Sequence, residues 1–212
     1  MPEPSKLPFP RPSKIVCVGR NYAEHAKELG NEVPREPLIF LKPPSSLIAG
    51  GQPIVLPAMS KQVEYEGEIG VLVGSMLTHA TEAQAAAAVS GIVAANDVTA
   101  RDLQRSDSQW TRAKGFDTFC AVGEPHAPPA DFNTLSVTTR VDGQEKQHGS
   151  AADMIFTIPT VLAYISSVMT LEPGDLVLTG TPAGVGTLGV GDEVQIDVPG
   201  YSSVRNPVRM HS

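Results

Sequence analysis

Cysteine is nearly absent: Cys17 and Cys120 are the only two in 212 residues, too few for a secreted disulfide scaffold or a thiolate metal site. Charge is sparse, at 18% of residues, and aromatic side chains reach 5%. Lysine and arginine form no cluster, and the net charge is −7. Without a basic patch there is no surface on which nucleic acid would release counterions. No apolar run approaches the roughly 20 residues of a membrane span. The start, Met1-Pro2-Glu3-Pro4-Ser5-Lys6, has no apolar stretch of the signal-peptide kind. These absences lead us to expect a cytoplasmic protein with neither nucleic-acid nor membrane partners.

Glycine and proline, 19 of each, are plentiful. Together with sparse charge they favour many turns and short strands over helical bundles and coiled coils. A chain of this length buries roughly 70% of its unfolded surface, so it needs no metal or disulfide merely to fold. Residues 1–13 are proline-rich and read as an irregular arm, and 14–212 as a single domain. Short β-branched runs predict strands over 14–18, 38–41, 54–56, 135–141, 175–179 and 193–198. Asp142-Gly143 is a hairpin signal. One helix is predicted from Tyr22 to Leu29, with Asn21 and Glu24 spaced as a capping box and Gly30 as the stop. A second, alanine-rich helix opens on Thr81 and Gln84 and runs to about Val93; a third covers Val161 to Met169 after Pro159. Residues 103–113 are polar and read as a loop. The expected fold class is α+β, β-dominated, with about three helices.

From Val63 to Val73 apolar residues occupy mostly odd positions, while Glu64, Glu66 and Glu68 occupy even ones. Period two means a strand with the three acids on one face. Residues two apart on a strand lie about 6.6–6.8 Å apart, so Glu66 and Glu68 can converge on one cation across Gly67. By itself the pair reads first as a solvated acidic strand face, and Glu64 is placed in that class. Asp97, after the alanine-rich segment, supplies a third carboxylate. Three carboxylates with water in the remaining positions suit Mg²⁺ or Mn²⁺, whereas no histidine pair has zinc spacing. His25 and Glu28 lie at i and i+3 on one helix face, where a carboxylate orients an imidazole as a base; such pairs also occur simply as surface pairs. His79, His126, His148 and His211 read as surface residues, and Asp102 as structural. Arg20, Lys42 and Lys114 are isolated cations suited to holding an anion. Gly180 to Gly186 lacks the Lys-Ser/Thr of a phosphate loop, but its Thr181 hydroxyl and backbone N–H groups can grip a carboxylate.

The ordered set Gly19-Arg20-Asn21-Tyr22, Phe40-Leu41-Lys42-Pro43, Tyr65-Glu66-Gly67-Glu68, Asp97-Val98-Thr99-Ala100-Arg101-Asp102, Trp110-Thr111-Arg112-Ala113-Lys114-Gly115-Phe116-Asp117, Met154-Ile155-Phe156 and Leu178-Thr179-Gly180-Thr181-Pro182 resembles the fumarylacetoacetate hydrolase family. The short single-domain members, which include acylpyruvate hydrolases and oxaloacetate decarboxylases, are the closest in pattern. The resemblance implies a mixed β-roll or sandwich, a homodimer, and Mg²⁺ or Mn²⁺ held by Glu66, Glu68 and Asp97. It places His25 and Glu28 on a lid helix as catalytic residues with Lys114, and makes Arg20, Lys42, Gln104, Gly180 and Thr181 substrate contacts. Ala121, where many members carry proline, and a short loop from Asp102 to Trp110 set the chain apart. The expected activity is divalent-metal-dependent hydrolysis of a C–C bond in acylpyruvate-like 2-oxo acids, through a metal-bound enolate. The alternatives are an isomerase or decarboxylase of dienoic diacids or oxaloacetate, and a non-catalytic dimer that binds a 2-oxo acid.

Overall fold

Short β-branched and leucine-rich segments pair here mainly with partners distant in the chain. The structure, a computed structural model, describes residues 6–28, 30 and 32–210. Leu29, His211 and the first five residues of the expected arm lie outside them. A seven-stranded mixed sheet runs in the order Leu38–Lys42, Ile15–Gly19, Leu176–Leu178, Gly67–Val73, Val89–Asp97, Cys120–Val122, Leu47–Ala49. A five-stranded sheet, in the order Gln144–Ser150, Ser136–Val141, Glu193–Val198, Ser202–Met210, Ile54–Leu56, packs across one face of it. Val137, Val194, Ile196 and Val204 from this sheet join Ile69, Val71, Ile92 and Ala94 in the main core. The opposite face of the central sheet buries Ile15, Cys17, Leu72, Val93, Cys120 and Leu176, and Phe9 from the N-terminal segment packs there. Covered on both faces, the strand Gly67–Val73 is buried at every position, as a central strand must be.

The β-dominated α+β architecture expected from the sequence is the one that forms, with five helices among the described residues rather than about three. The alanine-rich helix keeps its capping box, Gln84 N donating to Thr81 Oγ1 and Thr81 N to Gln84 Oε1, but spans only Glu82–Ala87. Val89–Asp97 is instead a strand paired antiparallel with Gly67–Val73. Beyond Ala87 the β-branched Val89, Ile92 and Val93 gain a central ladder that a continued helix would forgo. The expected loop at 103–113 holds two short helices, Arg101–Ser106 and Thr111–Lys114. The Asn21–Glu24 capping box is not made. Asn21 donates to the carbonyls of Phe156 and Thr179 and accepts from Phe156 N, tying the chain ahead of helix Ala23–Glu28 to two other loops. The strand Ser202–Met210 is not among the expected ones: buried Asn206 and half-buried Pro207 hide its alternation. No helix among the described residues is long and apolar enough to cross a membrane.

The run Val63–Val73 divides at Glu66. Val63–Tyr65 joins a three-stranded sheet with Thr99–Ala100 and Gly186–Thr187, while Gly67–Val73 enters the central sheet. At the break Glu66 N donates to Asn96 Oδ1 and Asp97 N donates to Glu66 O, so the division is stitched to the end of the neighbouring strand. Gly67 is required there because a Cβ would overlap Thr139 Oγ1 of the second sheet.

Candidate active site

The ladder decides where the acids meet. Glu68 lies opposite Ala95, and Asp97, two residues on, points to the same side as Ala95 and stands diagonally across from Glu68. Glu66, at the break, completes the group. The carboxylates of Glu66, Glu68 and Asp97 offer oxygen atoms all within 4.8 Å of one another, and all three residues are buried.

Three buried cations answer this charge. Arg101 Nη2 donates to Glu66 Oε1 at 2.5 Å, its Nε to Glu64 Oε2 at 2.7 Å and its Nη1 to Gln104 Oε1 at 2.6 Å. Lys114 Nζ donates to Glu66 Oε2 at 2.8 Å and Asp97 Oδ2 at 2.7 Å, its ammonium 4.9 Å from the centre of the Phe40 ring. Lys42 Nζ donates to Asp97 Oδ1 at 2.6 Å and to the Val98 carbonyl at 3.0 Å. Four buried carboxylates (Glu64, Glu66, Glu68, Asp97) thus face three buried cations. The one without a cationic partner among the described residues is Glu68, whose Oε2 accepts only the Gly180 N–H, at 2.6 Å.

The titration behaviour follows. Burial alone would raise the Glu66 carboxyl, but Lys114 and Arg101 hold it well below the usual carboxylate range. Burial pushes Glu68 well above that range, and Asp97 and Glu66 push it further. Burial would lower the Lys114 ammonium, yet Asp97 and Glu66 raise it above its ordinary value. An oxygen-only donor set with one charge uncompensated is what a hard divalent cation such as Mg²⁺ or Mn²⁺ takes. Each carboxylate has about four lone-pair positions, so Glu66 and Asp97 can serve a cation and their ammonium partners together. The residues therefore fit the ion.

Above this floor lies a cavity of about 320 Å³. Its lining includes Glu66, Glu68 and Lys114 below, Thr181 to one side, and Phe40 against Trp110 as an aromatic wall with ring centres 5.2 Å apart. His25 enters from the helix Ala23–Glu28, and Glu28 and Arg20 lie beside it. His25 Nδ1 meets Glu28 Oε2 at 3.2 Å, which leaves the ring Nε2 without a partner among the described residues. The Glu28 carboxylate also accepts the Gly184 N–H at 3.1 and 3.2 Å, so the helix is latched to the loop that carries Thr181. That loop is fixed from below: Gln147 Oε1 accepts from Gly67 N and Thr139 Oγ1, and its Nε2 donates to Thr181 Oγ1 and the Pro182 carbonyl.

Of the residues singled out from sequence, Arg20, His25, Glu28, Glu66, Glu68, Gln104, Lys114 and Thr181 line this one cavity, and Asp97 lies beneath, against Lys114 and Lys42. Three depart from the reading given them. Lys42, expected at the substrate, does not line the cavity; it is fully buried as a counter-ion of Asp97. Gly180, also expected at the substrate, directs its N–H to Glu68 instead. Glu64, read as solvated, is buried against Arg101. Sequence reasoning passed over Arg101, Arg105 and Gln147; for Gln147 the only signal was an uncharged polar residue between Lys146 and His148 in a strand.

A buried carboxylate cluster under a cavity walled by a histidine–carboxylate pair and a lysine defines an enzyme active site. Residues 14–209 match the profile of the Fumarylacetoacetate (FAA) hydrolase C-terminal family, and the chain belongs to that family. A mitochondrial oxaloacetate tautomerase of Arabidopsis thaliana is 44% identical over 203 residues, covering 93% of this chain and 91% of that protein. A mitochondrial oxaloacetate decarboxylase of Dictyostelium discoideum is 46% identical over 197 residues, covering 90% of each. Among solved structures, the 2-hydroxyhepta-2,4-diene-1,7-dioate isomerase of Mycobacterium marinum superposes with a TM-score of 0.87 at 44% identity, covering 95% of this chain and 76% of that one.

Proposed function

We propose that the protein interconverts the enol and keto forms of an oxaloacetate-type 2-oxo acid, using the His25–Glu28 pair to move a proton. The observation that carries this reading is the placement of that pair in one cavity with Lys114 and the Glu66–Glu68–Asp97 floor. The expectation of C–C hydrolysis as the main reaction gives way to its isomerase and decarboxylase alternative, because relatives of this chain are named as an oxaloacetate tautomerase, an oxaloacetate decarboxylase and a dienedioate isomerase.

Glu66, Glu68 and Asp97 would hold Mg²⁺ or Mn²⁺, which when bound supplies a Lewis acid for the oxygens at the 2-oxo end of the substrate. Glu28 holds His25 Nδ1 as the N–H tautomer and leaves Nε2 as the base. Nε2 takes the enol hydroxyl proton, and the imidazolium returns a proton to C3, so the reaction is balanced. Lys114, raised and therefore cationic at neutral pH, offsets negative charge developing on the substrate oxygen. The Gly184 N–H keeps Glu28 in place while this happens. Decarboxylation would also place negative charge on C3 and the 2-oxo oxygen: loss of CO₂ from C4 leaves the enolate of pyruvate, and protonation at C3 completes it.

The test is one spectrophotometric panel with Mg²⁺ or Mn²⁺: enol–keto relaxation of oxaloacetate, pyruvate release from oxaloacetate, and acetylpyruvate cleavage. The reading expects the first to be fastest, with His25→Ala losing about 10²–10⁴-fold, the usual worth of a general base, while Mn²⁺ affinity changes little. Wild-type rates of relaxation in that variant would refute the assignment, and acetylpyruvate cleavage as the dominant rate would restore hydrolysis.

A further inference from the structure

The cations around the cavity fall into two groups. Arg101 and Lys114 are bound to buried carboxylates of the floor. Arg105 and Arg20 are not. Arg105, exposed on helix Arg101–Ser106, has a single hydrogen bond, Nη1 to the Gln62 amide oxygen at 3.1 Å. The Arg20 side chain makes no hydrogen bond or ion pair among the described residues and is half-buried, on a backbone with φ of 60°. A non-glycine residue in that left-handed region is uncommon, and here the residue that adopts it lines the cavity. The cavity therefore has two poles. Its floor carries the one carboxyl group without a cationic partner, Glu68, and its wall carries two guanidinium groups without an anionic partner among the described residues. Phe40 and Trp110 form the apolar stretch of the same lining.

Uncompensated guanidinium groups beside a small cavity select an anion, and arginine's planar fork suits a carboxylate held by two hydrogen bonds. We infer that Arg105, with Arg20, receives a second carboxylate of the substrate, so that the site selects 2-oxo dicarboxylates over 2-oxo monoacids. This inference rests on the function proposed above and assigns its specificity. Arg105 is a binding residue only: it neither moves a proton nor touches the carboxylate floor. It stands in the short segment between Asp102 and Trp110, the part of the chain where a change of loop would change substrate without disturbing the acids.

The test uses the Mg²⁺-loaded protein with oxaloacetate and its 4-methyl ester, which differ by one charge at the far end. Arg105→Gln should raise KM for the diacid about 10- to 100-fold, the worth of one charged hydrogen-bonded pair, with a loss at least tenfold smaller for the ester. Arg105→Lys, which keeps charge without the fork, should recover part of the diacid preference. Equal losses on both substrates, or no preference for the diacid in the wild type, would overturn the inference. Binding separates it from the proposed reaction. If the wild type turns over neither compound, the proposed reaction fails. The receptor is then judged by calorimetry with N-oxalylglycine and its monomethyl ester. Tighter binding of the diacid that Arg105→Gln removes supports the receptor; equal affinities overturn it.

Discussion

Lys42 separates two readings of one residue with a single substitution. As a substrate contact it would affect KM and leave the fold alone. The structure makes it a structural counter-ion: its side chain is fully buried, at 2.6 Å from Asp97 Oδ1 and 3.0 Å from the Val98 carbonyl. Lys42→Met keeps the unbranched stem in place, so the change measured is mainly that of the ammonium. It leaves a buried carboxylate with Lys114 alone and a buried carbonyl without its donor. Removing one member of a buried pair costs about 3–5 kcal/mol. Urea unfolding in EDTA should therefore show a loss of that size, with the midpoint falling and the slope preserved. Mn²⁺ should restore more stability to the variant than it adds to the wild type, because the acids have lost a competing cation. A loss below about 1 kcal/mol with a raised KM would refute this assignment and return Lys42 to the substrate.

Three other outcomes follow from the same physics. Because Glu68 has a raised carboxyl in the folded protein, its contribution is fully present below the ordinary carboxyl value and is lost as pH rises through the raised one. Metal-free protein should thus lose stability from acid to neutral pH in thermal melts, Mn²⁺ should oppose the loss, and Glu68→Gln should flatten the profile and abolish tight Mn²⁺ binding in calorimetry. Asp175, where burial would raise the carboxyl but Lys14 and its other donors hold it below the ordinary value, accepts from Ser13 Oγ, Lys14 N and Glu172 N. Asp175→Asn should cost about 1–3 kcal/mol in urea unfolding, a difference that shrinks as pH falls through the lowered value. Gln147→Glu keeps the acceptor for Gly67 N but loses both donors to Thr181 and Pro182. It should destabilise by about 2 kcal/mol and weaken Mn²⁺ binding severalfold; unaltered Mn²⁺ affinity would show that the loop does not position the floor.

Much of the site could be read locally. Period two in Val63–Val73 singled out Glu66 and Glu68 as a pair, although the strand itself divides at Glu66, and i, i+3 spacing placed Glu28 beside His25; both signals lie within a few adjacent residues. The same alternation also carried Glu64, and nothing local distinguishes a solvated glutamate from one buried against Arg101, 37 residues away. Alanine content extended a helix too far because propensity is worth tenths of a kcal/mol per residue, less than a place in a central ladder. Short hydrophobic runs, capping boxes and the spaced acids, then, are written in the chain itself. Which cation neutralises which acid, that Lys42 lies below the site while Arg105 lies beside it, and that Gln147 braces the loop above it were decided by strand register and sheet packing. Pairings between distant segments form only once both are folded, and burial then sets what each charge is worth.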